Sequence, residues 1–172
     1  IVEETGRDVS GLRPGDKVTV DPIIWCGTCA ACREEHYPAC TSLKIVGIDL
    51  DGGFAEYISV PESMVYKIPG HIPDEHAALI EILSIGFHAV GRAELKNNDD
   101  VLIVGAGKVG NAILQAARTI TTGTIVVTDI LDERLSIASS AYPDILTVNA
   151  RNIDPVHFMN EVTGGKGADI AF

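Results

Sequence analysis

The chain has 172 residues, 46% of them hydrophobic and 22% charged. That is ordinary composition for one domain or two small ones with a buried core, and it excludes disordered, collagen-like and disulfide-dense classes. No apolar run reaches the ~18 residues of a membrane span, and a net charge of −11, from 13 Lys+Arg against 24 Asp+Glu, repels the phosphate backbone of a nucleic-acid partner.

In chain order, the first third reads as β-structure and turns. Leu12-Arg13-Pro14-Gly15-Asp16 is a turn signal, and Lys17-Val18-Thr19-Val20 follows as a strand. Residues 22–43 lack apolar periodicity and hold all four cysteines. Asp51-Gly52-Gly53 predicts a turn into a strand over Phe54–Val60, stopped by Pro61. Met64–Ile68 predicts another strand, stopped by Pro69. A helix capped by Asp74 is expected to run to about Arg92. Its apolar residues imply that it is mostly buried, with His88 as a satisfied core residue.

Beyond that helix, strands at 101–104, 124–128, 145–148 and 169–172 alternate with helices at about 108–120, 131–140 and 154–163. That alternation indicates βαβ units and a parallel sheet. The fold class is therefore α/β. A β-rich region over 1–82, with a cysteine lobe at about 23–43, is followed by part of a doubly wound parallel sheet over 83–172. The chain begins at Ile1 rather than Met, shows no signal peptide, and stops in what reads as the start of a buried strand. A fragment of a longer chain is the expectation.

The cysteines are spaced Cys26-x2-Cys29-x2-Cys32-x7-Cys40. Four thiolates this close can wrap one tetrahedral ion, and Zn²⁺ suits a closed four-sulfur shell. Gly27 eases the turn between the first two ligands. The lobe has little apolar material, so metal ligation would supply its folding energy, about 10–16 kcal/mol in small zinc peptides. Three other readings compete. A disulfide framework fits poorly, because CxxC neighbours pair poorly and the rest of the chain reads as intracellular and cytoplasmic. An iron–sulfur cluster expects its fourth cysteine after three residues, followed by Pro; here the gap is seven and Pro38 precedes Cys40. A redox CxxC is disfavoured by four clustered thiols.

Val101–Val104 leads into Gly105-Ala106-Gly107-Lys108-Val109-Gly110, and Asn111–Ala117 continues as helix. This GxGxxG lies between a strand and a helix, the context its mechanism requires. Gly105 permits the tight turn, Gly107 lets the backbone approach a pyrophosphate, and Gly110 allows close helix–strand packing. The helix N-terminus then offers free N–H groups to the phosphates. Asp129 ends the next strand, where a carboxylate hydrogen-bonds the ribose hydroxyls of NAD and repels the 2′-phosphate of NADP. Alternatively, Asp129 caps the next helix; both roles can coexist.

Together these motifs resemble the zinc-containing medium-chain dehydrogenases, and within them the polyol, butanediol and threonine dehydrogenase branch. The resemblance is carried by Gly15-Asp16-Lys17-Val18, the four cysteines, Gly52 to Tyr57, Ala78-Leu79-Ile80-Glu81, Gly86 to Val90, Gly105 to Gly110, and Thr128-Asp129. It implies a partial GroES-like catalytic domain over 1–82 and a partial Rossmann NAD-binding domain over 83–172. Cys26, Cys29, Cys32 and Cys40 match the structural zinc lobe. Gly105, Gly107, Val109 and Gly110 match the dinucleotide turn, and Asp129 and Arg134 match positions that hold the ribose and flank the adenine. Glu81 matches the acidic residue near the catalytic zinc; apart from the resemblance it reads as a helix-surface carboxylate.

The resemblance implies hydride transfer from an alcohol, polyol or amino-alcohol to NAD, with zinc as Lewis acid for the substrate hydroxyl. It implies a homodimer or homotetramer, a small-molecule substrate, and no membrane partner. The family's upstream catalytic cysteine and its Gly-His-Glu segment are not in this sequence, so the chain alone is expected to be inactive. The alternative is a non-catalytic NAD-binding or redox-sensing module with a structural zinc. Ile82, Lys108 and Asn111 depart from the family pattern; Lys108 is a candidate to assist pyrophosphate binding.

Overall fold

Pro14 presets its own φ for a turn, and Gly15 takes the left-handed conformation that closes it, φ +90°. The Asp16 amide donates to the Arg13 carbonyl at 3.0 Å, and the Asp16 carboxylate accepts the Arg13 amide at 2.8 Å. This turn launches β1 (Val18–Val20). A computed structural model describes all residues, Ile1–Phe172, and they form two compact units, Ile1–Glu81 and Ile82–Phe172.

In the first unit β1 pairs antiparallel with β4 (Val65–Lys67), and β2 (Ile23–Ile24) pairs antiparallel with β3 (Lys44–Ile45). α1 (Ala30–Arg33) lies between β2 and β3, and α2 (Asp74–Ala77) follows β4. Lys17 ties the end of the unit to its start: its ammonium donates to the Ile72 carbonyl and pairs with Asp74 at 2.5 Å. Only Cys32, Cys40 and Met64 are buried apolar side chains here. Hydrophobic burial of about 1.5–3 kcal/mol per large side chain therefore contributes little to this unit.

The strand expected over Phe54–Val60 does not form. A strand needs partners for its amides and carbonyls, and neither two-stranded sheet pairs this segment. It borders an open groove of about 890 Å³ between Ile1–Gly6 and Tyr57–Val60, and Phe54 and Tyr57 are exposed. The single buried helix over 74–92 is also corrected. It breaks at Ala78-Leu79 into α2 and α3 (Ile80–Arg92). Pro73 holds the cap position, and Asp74 makes no capping bond. Leu79, Ile85, Phe87 and His88 are exposed, so His88 is not a core residue. Apolar residues around the whole helix suggested burial on every side, yet Gly86 and Val90 are the buried positions.

The second unit has a four-stranded parallel sheet in the order β7-β6-β5-β8, formed by β5 (Val101–Val104), β6 (Ile125–Asp129), β7 (Leu146–Asn149) and β8 (Ile170–Ala171). The sheet alternates with α4 (Lys108–Arg118), α5 (Asp132–Ala141) and α6 (Pro155–Val162). The βαβ alternation and the parallel sheet are as the periodicity predicts, with boundaries within a few residues.

Side-chain alternation on the strands separates two cores. Val101, Ile103, Ile125 and Val127 pack with Ile113, Leu114, Ala117, Leu135 and Ala138. Leu102, Val126 and Val148 pack with Met159 on the other face. At the N-terminal end of the sheet, Lys166 bridges Asp100 at 3.0 Å and Asp169 at 2.6 Å, tying β5 to β8.

α3 and α4 cross closely at Gly86. A Cβ there would lie 2.5 Å from the Ala112 backbone carbonyl. Gly86→Ala is therefore expected to cost about 1–3 kcal/mol by overpacking. Gly91→Ala, on an exposed turn of the same helix with nothing within 4 Å, should stabilise by about 0.4–1 kcal/mol. Urea unfolding of both variants measures the contrast; equal midpoints would contradict the crossing.

Candidate functional site

β2 and β3 frame the cysteine lobe. Cys26 follows β2 two residues on, after a Trp25 ring that stacks on Tyr37 at 4.4 Å. Gly27 adopts φ +72°, which turns the chain so that Cys29 stands at the N-cap of α1 and Cys32 lies within it. A 3-10 turn over Tyr37–Ala39 then delivers Cys40. All four are free thiols, and their sulfurs lie within 4.8 Å of one another. A tetrahedral ion with Zn–S of ~2.3 Å requires sulfurs about 3.8 Å apart; Cys26 and Cys32 are 4.0 Å apart.

The lobe is also electrostatically prepared. The Cys26 amide donates to Cys40 Sγ at 3.3 Å, the Ser42 amide to Cys40 Sγ at 3.4 Å, and the Cys29 amide to Cys26 Sγ at 3.4 Å. Amide and hydroxyl donation from Thr28, with the Cys29 amide, brings the Cys26 thiol down to about 6. Burial and the neighbouring thiols push Cys32 up to about 12. Four crowded sulfurs cannot all ionise without a cation among them, and a bound metal removes that conflict. The donor set and spacing fit one tetrahedral metal ion.

The second constellation lies at the C-terminal end of β5 and β6. Its three glycines meet different needs. Gly105 has φ +107°, a conformation that favours glycine. A Cβ on Gly110 would fall 1.8 Å from the Gly105 carbonyl oxygen, so α4 sits against the turn only with glycine there. Gly107 has φ −74° and ψ −171°, open to any residue, and a Cβ there would meet nothing within 4 Å. Nothing in the chain itself requires glycine at 107.

Asp129 holds this turn in place. It is buried, its Oδ2 accepts the Ala106 amide at 2.9 Å, and its Oδ1 accepts the Ile130 and Leu131 amides at 2.7 and 3.0 Å. Arg134 approaches Oδ2 at 3.5 Å. Burial alone would raise the Asp129 pKa, but these donors outweigh it and hold the carboxyl below its ordinary value. The cap position of α5 belongs to Leu131, so Asp129 is not the capping residue. Sequence reasoning missed this brace, and it missed Asn111, whose amide donates to the Ala106 carbonyl at 2.7 Å and the Gly107 carbonyl at 3.0 Å. The signal was a polar residue where the pattern expected a small or apolar one.

Val109 lies exposed on the first turn of α4, and Arg134 is half exposed on α5. Glu81 is an exposed carboxylate in the first turn of α3. The cysteine quartet is the one group of three or more potential metal ligands in the chain; Glu81 is not in it.

Residues 1–70 match the alcohol dehydrogenase GroES-like domain. Sorbitol dehydrogenase of Bacillus subtilis is 34% identical over 172 residues, covering 99% of this chain and 48% of that protein. Galactitol-1-phosphate dehydrogenase of Escherichia coli superimposes with a TM-score of 0.85 at 33% identity, over 94% of this chain and 46% of that one. The chain belongs to the zinc-type medium-chain dehydrogenase family. An alcohol dehydrogenase of Escherichia coli CFT073, complexed with the cofactor NADH, matches with a TM-score of 0.83 at 33% identity, over 96% of this chain and 49% of that one. The chain spans about half the length of the relatives it matches. No helix of this dehydrogenase-family chain is long and apolar enough to cross a membrane.

The Asp129 brace has a pH signature. A carboxyl held below its ordinary value stabilises the fold above its unfolded pKa of ~3.9, and that contribution is lost as pH falls through the depressed native value. Asp129→Asn is expected to lower stability at pH 7 by about 1–3 kcal/mol. Its deficit should shrink as pH drops below about 4. Denaturant titrations of both proteins across that range check it; a constant deficit would refute the ionised brace.

Proposed function

We propose that this chain forms the NAD-binding and structural-zinc part of an NAD-dependent zinc dehydrogenase acting on an alcohol, polyol or amino-alcohol. The observation that carries the cofactor half is Gly107. Gly105 and Gly110 are glycine for reasons internal to the fold, whereas a Cβ at Gly107 would enter empty space. Glycine there keeps that space clear for a ligand that approaches the backbone, as a dinucleotide pyrophosphate does. The first turn of α4 has no side-chain cap, which leaves its amides open to an anion.

In this reading Asp129 positions the turn through Ala106 and presents its carboxylate to the ribose hydroxyls, and Arg134 flanks the adenine. Negative charge at Asp129 favours NAD over NADP. When bound, NAD supplies the hydride-accepting ring; the protein's part is to hold it by Gly105, Gly107, Val109, Gly110, Asp129 and Arg134. Cys26, Cys29, Cys32 and Cys40 hold a structural zinc, which takes the place of the hydrophobic core the first unit lacks. Glu81 is the residue this chain would contribute near a catalytic zinc. The family resemblance carries a small-molecule substrate, a homo-oligomeric assembly and a cytoplasmic location into the same proposal. The second reading, a nucleotide-binding module without turnover, rests on the ligand count, since Glu81 stands outside any metal-ligating group in this chain.

Gly107→Val separates fold from binding. Its thermal midpoint should stay near that of the parent chain while NADH affinity, read by fluorescence titration, falls by at least about tenfold. Unchanged affinity would overturn the cofactor site. Metal analysis should return one zinc per quartet. Cys32→Ser should lose it and shift the emission of Trp25, the sole tryptophan. Iron in place of zinc, or retention of metal by the variant, would overturn the zinc lobe. Alcohol oxidation with NAD by the full-length protein distinguishes enzyme from module.

A further inference from the structure

We propose that the cysteine quartet is a peroxide-responsive modification site: Cys26 is oxidised first, closes a disulfide with Cys32, and the ion held by the quartet is released. This rests on the structural-zinc reading above. The sulfur atoms of the chain belong to four Cys and two Met, and their exposure is graded. Cys26 is exposed and Cys29 half-buried, whereas Cys32, Cys40, Met64 and Met159 are buried. Cys26 is therefore the sulfur that a small solvent-borne oxidant meets. The second unit has no cysteine, so thiol oxidation of this chain is confined to the lobe.

A metal-ligating cysteine is a thiolate, and the thiolate is the nucleophile. The Cys26 sulfur attacks one oxygen of hydrogen peroxide. The O–O bond breaks, and the hydroxide that leaves is protonated by solvent to water, which gives Cys26 sulfenic acid. The Cys32 sulfur then attacks the Cys26 sulfur. The S–O bond breaks, and hydroxide leaves as a second water after protonation. Two thiolates, one peroxide and two solvent protons become one disulfide and two waters. The sulfurs lose the two electrons that the peroxide oxygens gain. Cys32 is placed for the second step, since its sulfur lies 4.0 Å from that of Cys26 and must close by about 2 Å to reach bond length. It rides on α1, a single turn of four residues, so the shift disturbs little regular structure. Two thiolates remain after the reaction, too few for the closed four-sulfur shell of a structural zinc. The ion ties Cys26 to Cys40 across the loop between β2 and β3; the disulfide stops at Cys32 and leaves the Cys40 side untied. The unit affected is the one whose buried apolar side chains are Cys32, Cys40 and Met64.

The test treats the zinc-loaded full-length protein with hydrogen peroxide, then alkylates free thiols and maps tryptic peptides by mass, while a chromogenic chelator reads released zinc. Cleavage after Lys17, Arg33 and Lys44 puts Cys26, Cys29 and Cys32 in one peptide and Cys40 in the next. The first product should carry a disulfide within residues 18–33, with Cys29 and Cys40 alkylated, and one zinc ion released per disulfide. Dithiothreitol with added zinc should restore the four thiols and the metal. A first disulfide to Cys29 or Cys40 would overturn the proposed order. Passage of Cys26 to sulfinic acid, a disulfide formed with zinc retained, or zinc release with the quartet thiols intact would overturn the switch while the zinc lobe stands. Equal zinc content in untreated wild type and Cys32→Ser would overturn the zinc reading and this inference with it.

Discussion

The hydrogen bond from the Ala106 amide to the Asp129 carboxylate joins the glycine turn to the neighbouring strand, across 23 residues of chain. The candidate cofactor site depends on that bond. Without it, the peptide between Gly105 and Gly107 has only Asn111 to orient it, through its carbonyl. With both, Ala106 is held by its donor and its acceptor, and the turn is set before any ligand arrives. Pre-set donors cost less to use on binding than donors that must first be ordered.

The two units are stabilised by different means. The second unit buries strands on both faces, and its cores include Val101, Ile103, Leu114, Ile125, Val126 and Val127. The first unit buries little beyond Met64 and two cysteines. Its strands are two or three residues long and paired only in twos, and isolated two-stranded pairs are marginal in water. A metal in the quartet would offset that deficit, because its ligands span Cys26 to Cys40 and cross-link the loop between β2 and β3.

Much of the architecture was legible from local pattern. The short apolar runs alternating with helical segments after residue 100 placed all four parallel strands and three helices, because burial on a sheet is written into consecutive residues. The cysteine spacing likewise placed four sulfurs around one point. Where the pattern failed, long-range pairing decided. Phe54–Val60 has strand composition but no partner, so its backbone stays outside both sheets. The apolar residues of α3 do not reveal which face will be covered, and Ile85, Phe87 and His88 are left exposed.

By itself, the sequence determined the fold class, the quartet and the strand–glycine–helix order, since each rests on residue type and short spacing. Tertiary structure decided what each glycine is for. Gly110 is set by a carbonyl five residues away across the turn, Gly86 by the backbone of another helix, and Gly107 by nothing in the chain. It also decided that Asp129 and Asn111 brace the turn. Those roles depend on which atoms meet after folding, and spacing along a chain does not specify that contact.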